Sequence, residues 1–309
     1  MHNGNMNCIS TRVSSAWRWM IAAECSEEHA IGGQIMGSNP STKSGGNALI
    51  DLSSHVAIVT GGARGIGAAV ARLFAEQGAT VVIADMLESE GQDLAAQLGP
   101  KVSFRRHDVA DEPAWEKLVA ETVNLYGRID ALVNCAGILI TDAILSFDRA
   151  QFDRVLRVNL VGTFLGIKHA ARVMVKAKRG SIVNFSSSEG LQGSNSMAAY
   201  ASSKWGVRGL TKVAAQELGA SGVRCNSIHP GPVNTAMLNP TGRPAAELTT
   251  LSLFDYMPMR RAAEPLEIAQ SCLYLVSDAS SFVTGAEVAI DGGLTLGMRL
   301  RNRPGGPEA

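Results

Sequence analysis

From residue 55 the chain alternates between short unbroken apolar runs and longer stretches whose apolar residues recur every three or four positions. His55–Thr60 is an apolar run ending in glycines, which predicts a buried strand. Residues 65–77 place Ile66, Val70, Leu73 and Phe74 on one helical face. The run ATVVIA at 79–84 predicts a second strand, and 88–98 a second helix stopped by Gly99-Pro100. The rhythm continues with strands over 102–107, 130–135, 181–186, 223–228 and 287–291. Between them, helices are predicted over 112–126, 147–176, 198–219 and 264–276. Strands alternating with helices imply right-handed crossovers, so the expected fold class is α/β: a single-domain, doubly wound Rossmann fold of about seven parallel strands with helices on both faces.

This pattern covers residues 51–297. The preceding residues 37–50 (GSNPSTKSGGNALI) have the composition of a linker, and 298–309 is a polar tail. Residues 1–50 are therefore read as an N-terminal extension. Arg12, Arg18 and the lack of an acid before Glu24 raise the alternative of a presequence; a disordered extension, or a true start at Met36, is the favoured reading. Composition narrows the function classes. An apolar fraction of 46% with 18% charged residues fits a soluble globular domain with a sizeable core. Basic and acidic residues balance at 28 each, which argues against nucleic acid or an anionic membrane as partner. No apolar run approaches the ~18–20 residues of a membrane span. The cysteines Cys8, Cys25, Cys135, Cys225 and Cys272 form no metal-ligand spacing and read as free thiols in a reducing, cytoplasmic compartment, with no metal site expected.

The first strand runs into Thr60-Gly61-Gly62-Ala63-Arg64-Gly65-Ile66-Gly67. Glycines there permit a tight turn and a close backbone approach to a pyrophosphate, and the next helix aims its free N–H groups at the phosphates. Asp85 closes the second strand, 20 residues after Gly65. A carboxylate at that point accepts the adenosine ribose hydroxyls and repels a 2′-phosphate, favouring NAD(H) over NADP(H); Arg64 in the loop pulls the other way. Asp108 and Val109, after the third strand, are expected on the adenine side, with helix capping as the alternative for Asp108.

Tyr200 and Lys204 are four residues apart on a predicted helix, hence on one face. An ammonium about 5 Å from a phenol, at an effective dielectric near 20, favours phenolate by roughly 3 kcal/mol, or about two pKa units. Such a tyrosine can accept an alcohol proton or donate one to a carbonyl oxygen. Alone, the pair also fits an exposed amphipathic helix.

Together these segments resemble the short-chain dehydrogenase/reductase family over residues 52–295. The resemblance rests on TGGARGIG at 60–67, NCAG at 134–137, Asn159, NFSSSEG at 184–190, YASSK at 200–204, HPGPVNT at 229–235 and VTGAEVAIDGG at 283–293. It implies a catalytic tetrad of Asn159, Ser187, Tyr200 and Lys204. Ser187 is preferred to Ser186 and Ser188 because the family serine lies 13 residues before the tyrosine. In that scheme Ser187 binds the reacting oxygen, and Asn159 anchors a water leading from Lys204 to solvent. Asn134 and Gly137 are implied on the ribose side, and Val233 and Thr235 at the nicotinamide carboxamide. Cys135 departs from the family's usual second asparagine, which puts local sheet stability in doubt. His229 is read as packing at a strand end.

The segment between Thr235 and Glu264 carries Met237, Leu238, Leu251, Leu253, Phe254, Tyr256, Met257 and Met259; with Ile138, Leu139 and Ile140 it suggests a pocket for a hydrophobic alcohol or ketone. The alternative is that these residues pack the segment down or form a subunit contact. The stretches YASSKWGVRGLTK at 200–212 and SIHPGPVNTAM at 227–237 are similar to bacterial 3α(20β)-hydroxysteroid dehydrogenases, which implies a cyclic or steroid-like substrate, NAD(H) and a homotetramer. Two other readings stand beside it: a 3-oxoacyl-carrier-protein reductase, for which Asp85 is the wrong cofactor residue, and a non-catalytic dinucleotide-binding protein, which would be expected to have lost part of the tetrad.

Overall fold

A computed structural model describes residues 50–238, 254–255, 257–297 and 304. The expected extension over 1–50, apart from Ile50, lies outside the described residues, as do most of the tail from 298 and Leu251, Leu253 and Tyr256.

Seven strands, β1 (Val56–Thr60), β2 (Thr80–Asp85), β3 (Val102–Arg106), β4 (Ala131–Asn134), β5 (Gly180–Phe185), β6 (Val223–Pro230) and β7 (Glu287–Ile290), form one sheet in the order β3-β2-β1-β4-β5-β6-β7. Every pairing is parallel. The helices are α1 (Gly65–Glu76), α2 (Glu88–Leu98), α3 (Glu112–Tyr126), α4 (Arg149–Leu156), α5 (Gly162–Ala177), α6 (Ala198–Leu218) and α7 (Pro265–Val276).

Alternate residues of each strand serve opposite faces, because successive side chains of a strand point to opposite sides of the sheet. Ala57, Val59, Val81, Ile83, Val133 and Val183 join Val70 and Phe74 of α1 and Ile268, Cys272 and Leu275 of α7 in one core. Ile58, Val82, Leu132 and Ile182 join Trp115 of α3, Leu165 and Met174 of α5 and Ala214 of α6 in the other. This is why the strands read as continuous apolar runs. The order reverses between β1 and β4, so the carboxyl ends of these two strands splay into a crevice.

One predicted element is corrected. The helix expected unbroken over 147–176 is α4 and α5 joined by a π-helical turn at Arg157–Val161. The one-residue widening of such a turn is invisible to a 3.6-residue periodicity, and π-turns often mark functional positions. Asn159 sits in it, fully buried.

Candidate active site

The glycine loop connects β1 to α1 at the crevice. Gly61 has φ +64°, and a Cβ there would stand 2.8 Å from the Cα of Ala136 on the β4 side. A Cβ on Gly67 would collide with the Gly61 carbonyl, so α1 can begin this close to the loop only with glycine. Arg64 is the N-cap and supplies no side-chain cap, which leaves the first N–H groups of α1 facing outward. The side chain of Ile66 packs on the core. Thr235, beyond β6, brings its methyl to 3.4 Å from a Cβ built on Gly65 and so closes the loop from the opposite wall. At the end of β2, Asp85 accepts the Ala63 N–H (3.0 Å) through one carboxylate oxygen and the Leu87 N–H (3.1 Å) through the other. A strained glycine turn, a free helix N-terminus and a fixed, half-buried carboxylate make a cradle that fits a dinucleotide.

Across the crevice, Tyr200 and Lys204 occupy one face of α6, with Lys204 Nζ 5.5 Å from the Tyr200 ring centroid. Lys204 is buried and donates to the Phe185 carbonyl at the end of β5 (2.8 Å). Ser203 between them donates to the Tyr200 carbonyl (2.7 Å) and accepts from Asn159 Nδ2 (3.1 Å). The three consecutive serines after β5 divide their work. Ser186 donates to the Lys204 carbonyl (2.9 Å), tying β5 to α6. Ser188 is buried in a short 3-10 turn (Ser188–Gly190). Ser187 caps that turn by accepting the Glu189 N–H (3.1 Å), and its hydroxyl lies against the Tyr200 phenol.

The electrostatics depart from the expectation that the lysine lowers the tyrosine by about two units. Burial pushes the Tyr200 phenol up to about 12; the Ser187 hydroxyl opposes the rise, and Glu189 adds to it. Burial pushes Lys204 down to about 8. Burial is the largest cause of the shift at both groups.

Asn159 accepts the Ile138 N–H (2.9 Å) and donates to the Ile138 carbonyl (3.0 Å), fixing the chain after β4 beside Lys204. Gly137 lies between them, since a Cβ there would stand 3.3 Å from Asn159 Oδ1 and 3.6 Å from Lys204 Nζ. The other expected residues have these neighbours. Asn134 donates through its side-chain amide to Asn184 Oδ1 (2.9 Å). Val109 packs its side chain in the core, and its carbonyl accepts from the Trp115 indole. Asp108 is exposed and accepts the Ala110 N–H (2.9 Å); the helix N-cap is Asp111 instead. Val233 is buried and bridges to Ala263. Phe254 and Met257 are buried in a small cluster of their own with Leu238, Ala262 and Leu294, the packing alternative for that segment. Cys135 donates its N–H to Thr60 Oγ1 (3.1 Å), and burial pushes its thiol up to about 12.

Two supports had not been singled out from the sequence. Thr60 Oγ1 accepts the N–H groups of Cys135 and Ala136 (3.1 and 3.2 Å), holding the glycine loop against β4; its signal is a lone hydroxyl ending an apolar strand. Arg208 donates to the Gly190 carbonyl (2.6 Å) and forks onto Glu287 (3.1 and 2.8 Å), a partner 79 residues away with no local signal. Glu112, Glu116 and His169 lie within reach of a common ion, but Glu112 already pairs with Lys168, so a salt bridge accounts for this cluster.

The family described as enoyl-(acyl carrier protein) reductase matches residues 61–295. Trans-4-hydroxycyclohexanecarboxylate dehydrogenase of Sinomonas cyclohexanicum is 42% identical over 259 residues, 81% of this chain and 96% of that protein. The 3-alpha-(or 20-beta)-hydroxysteroid dehydrogenase of Mycobacterium bovis is 42% identical over 80% of this chain and 92% of its own. Cyclopentanol dehydrogenase of a Comamonas species is 39% identical over 79% and 98%. With the seven-stranded parallel sheet and the glycine loop at its switch point, these matches show that the chain belongs to the short-chain dehydrogenase/reductase family, oxidoreductases that generally work with a nicotinamide dinucleotide.

Proposed function

We propose that the protein interconverts a cyclic, hydrophobic secondary alcohol and its ketone with NAD(H). The observation that carries the reading is the convergence of Ser187, Tyr200 and Lys204 from β5 and α6 on one wall of a crevice whose other wall is the glycine loop. Asp85 supports NAD(H), because a carboxylate at the end of β2 would repel a 2′-phosphate. The relatives' names support a ring alcohol: a hydroxycyclohexanecarboxylate, a hydroxysteroid and cyclopentanol. Half-buried Ile138, Leu139 and Ile140 supply apolar surface after β4. Association of subunits, expected as a homotetramer, would use α4–α6, where Val161, Phe164, Trp205 and Val213 are exposed. No described helix is long and apolar enough to cross a membrane, and Cys135, Cys225 and Cys272 are free thiols, in keeping with a cytoplasmic enzyme.

In this reading Tyr200 moves the proton of the reacting oxygen, and Ser187 holds that oxygen by a hydrogen bond. Lys204 supplies positive charge beside the phenol. Because burial holds the phenol near 12, the lysine alone does not create a phenolate near neutrality. A nicotinamide dinucleotide held by the glycine loop and Asp85 would supply the hydride chemistry. A phenol held near 12 stays neutral through the working pH range, so the proton donor for reduction is present throughout, while the phenolate that oxidation uses becomes more populated as pH rises.

The test is a panel of cyclopentanol, cyclohexanols, 3- and 20-hydroxysteroids and a 3-oxoacyl thioester, followed by reduced-nicotinamide absorbance with NAD(H) and NADP(H). A ring alcohol with NAD is the expected best pair; preference for the thioester with NADPH would overturn the reading. Tyr200→Phe should lower kcat about 1,000-fold, within the ~100- to 10,000-fold range of acid–base groups. Unchanged turnover would remove Tyr200 from the mechanism. Asp85→Ser should shift the NAD/NADP preference about tenfold toward NADP.

A further inference from the structure

His229 lies at the end of β6, fully buried. One ring nitrogen, Nδ1, is 3.1 Å from the Ser187 carbonyl, and the other, Nε2, is 2.9 Å from Ser227 Oγ. A carbonyl only accepts, so Nδ1 must carry the proton. Burial lowers the imidazole's pKa, which keeps the ring neutral; Nε2 then accepts from the Ser227 hydroxyl. The tautomer is thus set by its two neighbours.

The Ser187 carbonyl also accepts the Gly190 N–H (2.9 Å), so its two lone pairs are both engaged, one from its own turn and one from β6. The Ser187 hydroxyl oxygen accepts the Glu189 N–H, which leaves its O–H proton free on the side of Tyr200. Where that proton points depends on the orientation of the peptide that follows Ser187. The turn's own hydrogen bonds move with the turn; the bond from His229 is anchored in the sheet.

We infer that His229 is a positioning residue: its Nδ1–H locks the Ser187 peptide to β6 and so aims the Ser187 hydroxyl at the substrate oxygen. The inference rests on the reading of Ser187 and Tyr200 as the reacting pair. A mainly structural histidine would fill a strand end, and its loss would lower stability without touching the chemical step. A positioning histidine predicts a loss in kcat that returns when only the Ser187 leg is restored. A displacement of about 1 Å in such a group can cost on the order of 100-fold in rate.

Asparagine and glutamine separate the two legs. The side-chain amide of asparagine falls near the place of Nδ1 and can donate to the Ser187 carbonyl; that of glutamine reaches the place of Nε2 and Ser227. We expect His229→Asn to keep kcat within about threefold, and His229→Gln and His229→Leu to lose about 10- to 100-fold in kcat on the best panel alcohol. The KM for that alcohol should change less than kcat, and the Kd for NADH, read by fluorescence, should stay within about twofold. Nitrogen NMR of the labelled wild-type protein should show the Nδ1–H tautomer for His229. Equal kcat for the Asn and Gln variants, a Leu variant within twofold of wild type, or the Nε2–H tautomer would each overturn the inference. If His229→Leu does not fold, the Asn-to-Gln ratio decides alone. If Tyr200→Phe is inactive while all three His229 variants retain full kcat, this inference fails and the proposed mechanism stands. If Tyr200→Phe retains turnover, it is the mechanism that fails.

Discussion

The halves of the sheet on either side of the switch point share a topology but differ inside. In β1 and β2 the buried positions are Val56, Ala57, Ile58 and Val59 against Val81, Val82, Ile83 and Ala84, with no polar side chain until Thr60. In β5 and β6, Ser181, Asn184, Asn226, Ser227 and His229 are buried as deeply. Each has a partner: Ser181 donates to the Leu275 carbonyl, Asn184 to Thr211, Asn226 to the Val283 carbonyl, and Ser227 meets His229. The difference matches what each half must hold. A pyrophosphate cradle needs close backbone approach, which glycines and dense apolar packing supply, with directional bonds only at its edges, from Thr60 and Asp85. A reacting oxygen needs hydroxyls at fixed angles, and only a satisfied hydrogen-bond network supplies direction inside a core.

The comparison breaks most readily at the glycine loop. In Gly67→Ala the new methyl meets the Gly61 carbonyl, so either α1 or the loop must retreat. We expect NADH affinity to fall by about 100-fold or more, with a stability cost of about 1–3 kcal/mol from overpacking. Fluorescence titration checks it; wild-type affinity would mean that the loop is not the cradle. Between the halves, trimming one methylene and removing one bonded amide should cost unequally. Ile58→Val in the apolar half should cost about 1 kcal/mol. Asn184→Ala removes the acceptor of Asn134 Nδ2 and the donor to Thr211 in a site closed to water, and should cost about 3 kcal/mol. Urea unfolding of the two variants gives the ratio directly. Equal costs would dissolve the distinction between the two interiors.

The apolar half was the easier to read in advance. Doubly buried strands announce themselves as apolar runs, and β1 and β2 fall within a residue of their predicted bounds. The glycine loop was legible because its mechanism demands glycine between a strand and a helix. In the polar half the pattern carried less. Ser186, Ser187 and Ser188 are chemically identical in sequence, and only the folded chain shows that Ser186 faces the Lys204 carbonyl while Ser187 faces Tyr200. The Tyr200–Lys204 spacing gave the proximity of the pair but not the desolvation that reverses the expected shift. The motif that carries Asn134 gives no sign that its amide joins a network running through Asn184 and Thr211. Long-range partners such as Arg208 and Glu287 have no signature within a window of neighbours.

The remaining effect on stability is the one with an unusual sign. Lys204 is held at about 8, below the 10.5 of an exposed lysine, and burial is the cause. Between those two values the unfolded chain binds more protons than the folded one, so this group makes stability rise with pH across that window; below about 8 its full penalty is present. At ~1.4 kcal/mol per unit the penalty is roughly 3 kcal/mol, and the bond to the Phe185 carbonyl returns about 1. Lys204→Met should therefore abolish turnover yet stabilise the fold by about 2 kcal/mol at pH 7, raising Tm by about 4–8 °C. The gain should vanish as pH approaches 10.5. Tyr200, held up to about 12, adds a slope of opposite sign only above 10, outside most of this window. Thermal melts of the two proteins at several pH values between 7 and 10 test the claim. A methionine variant that is less stable at pH 7, with a difference independent of pH, would show that Lys204 carries no burial penalty and that the reacting half is stabilised, not strained, by its own catalytic cation.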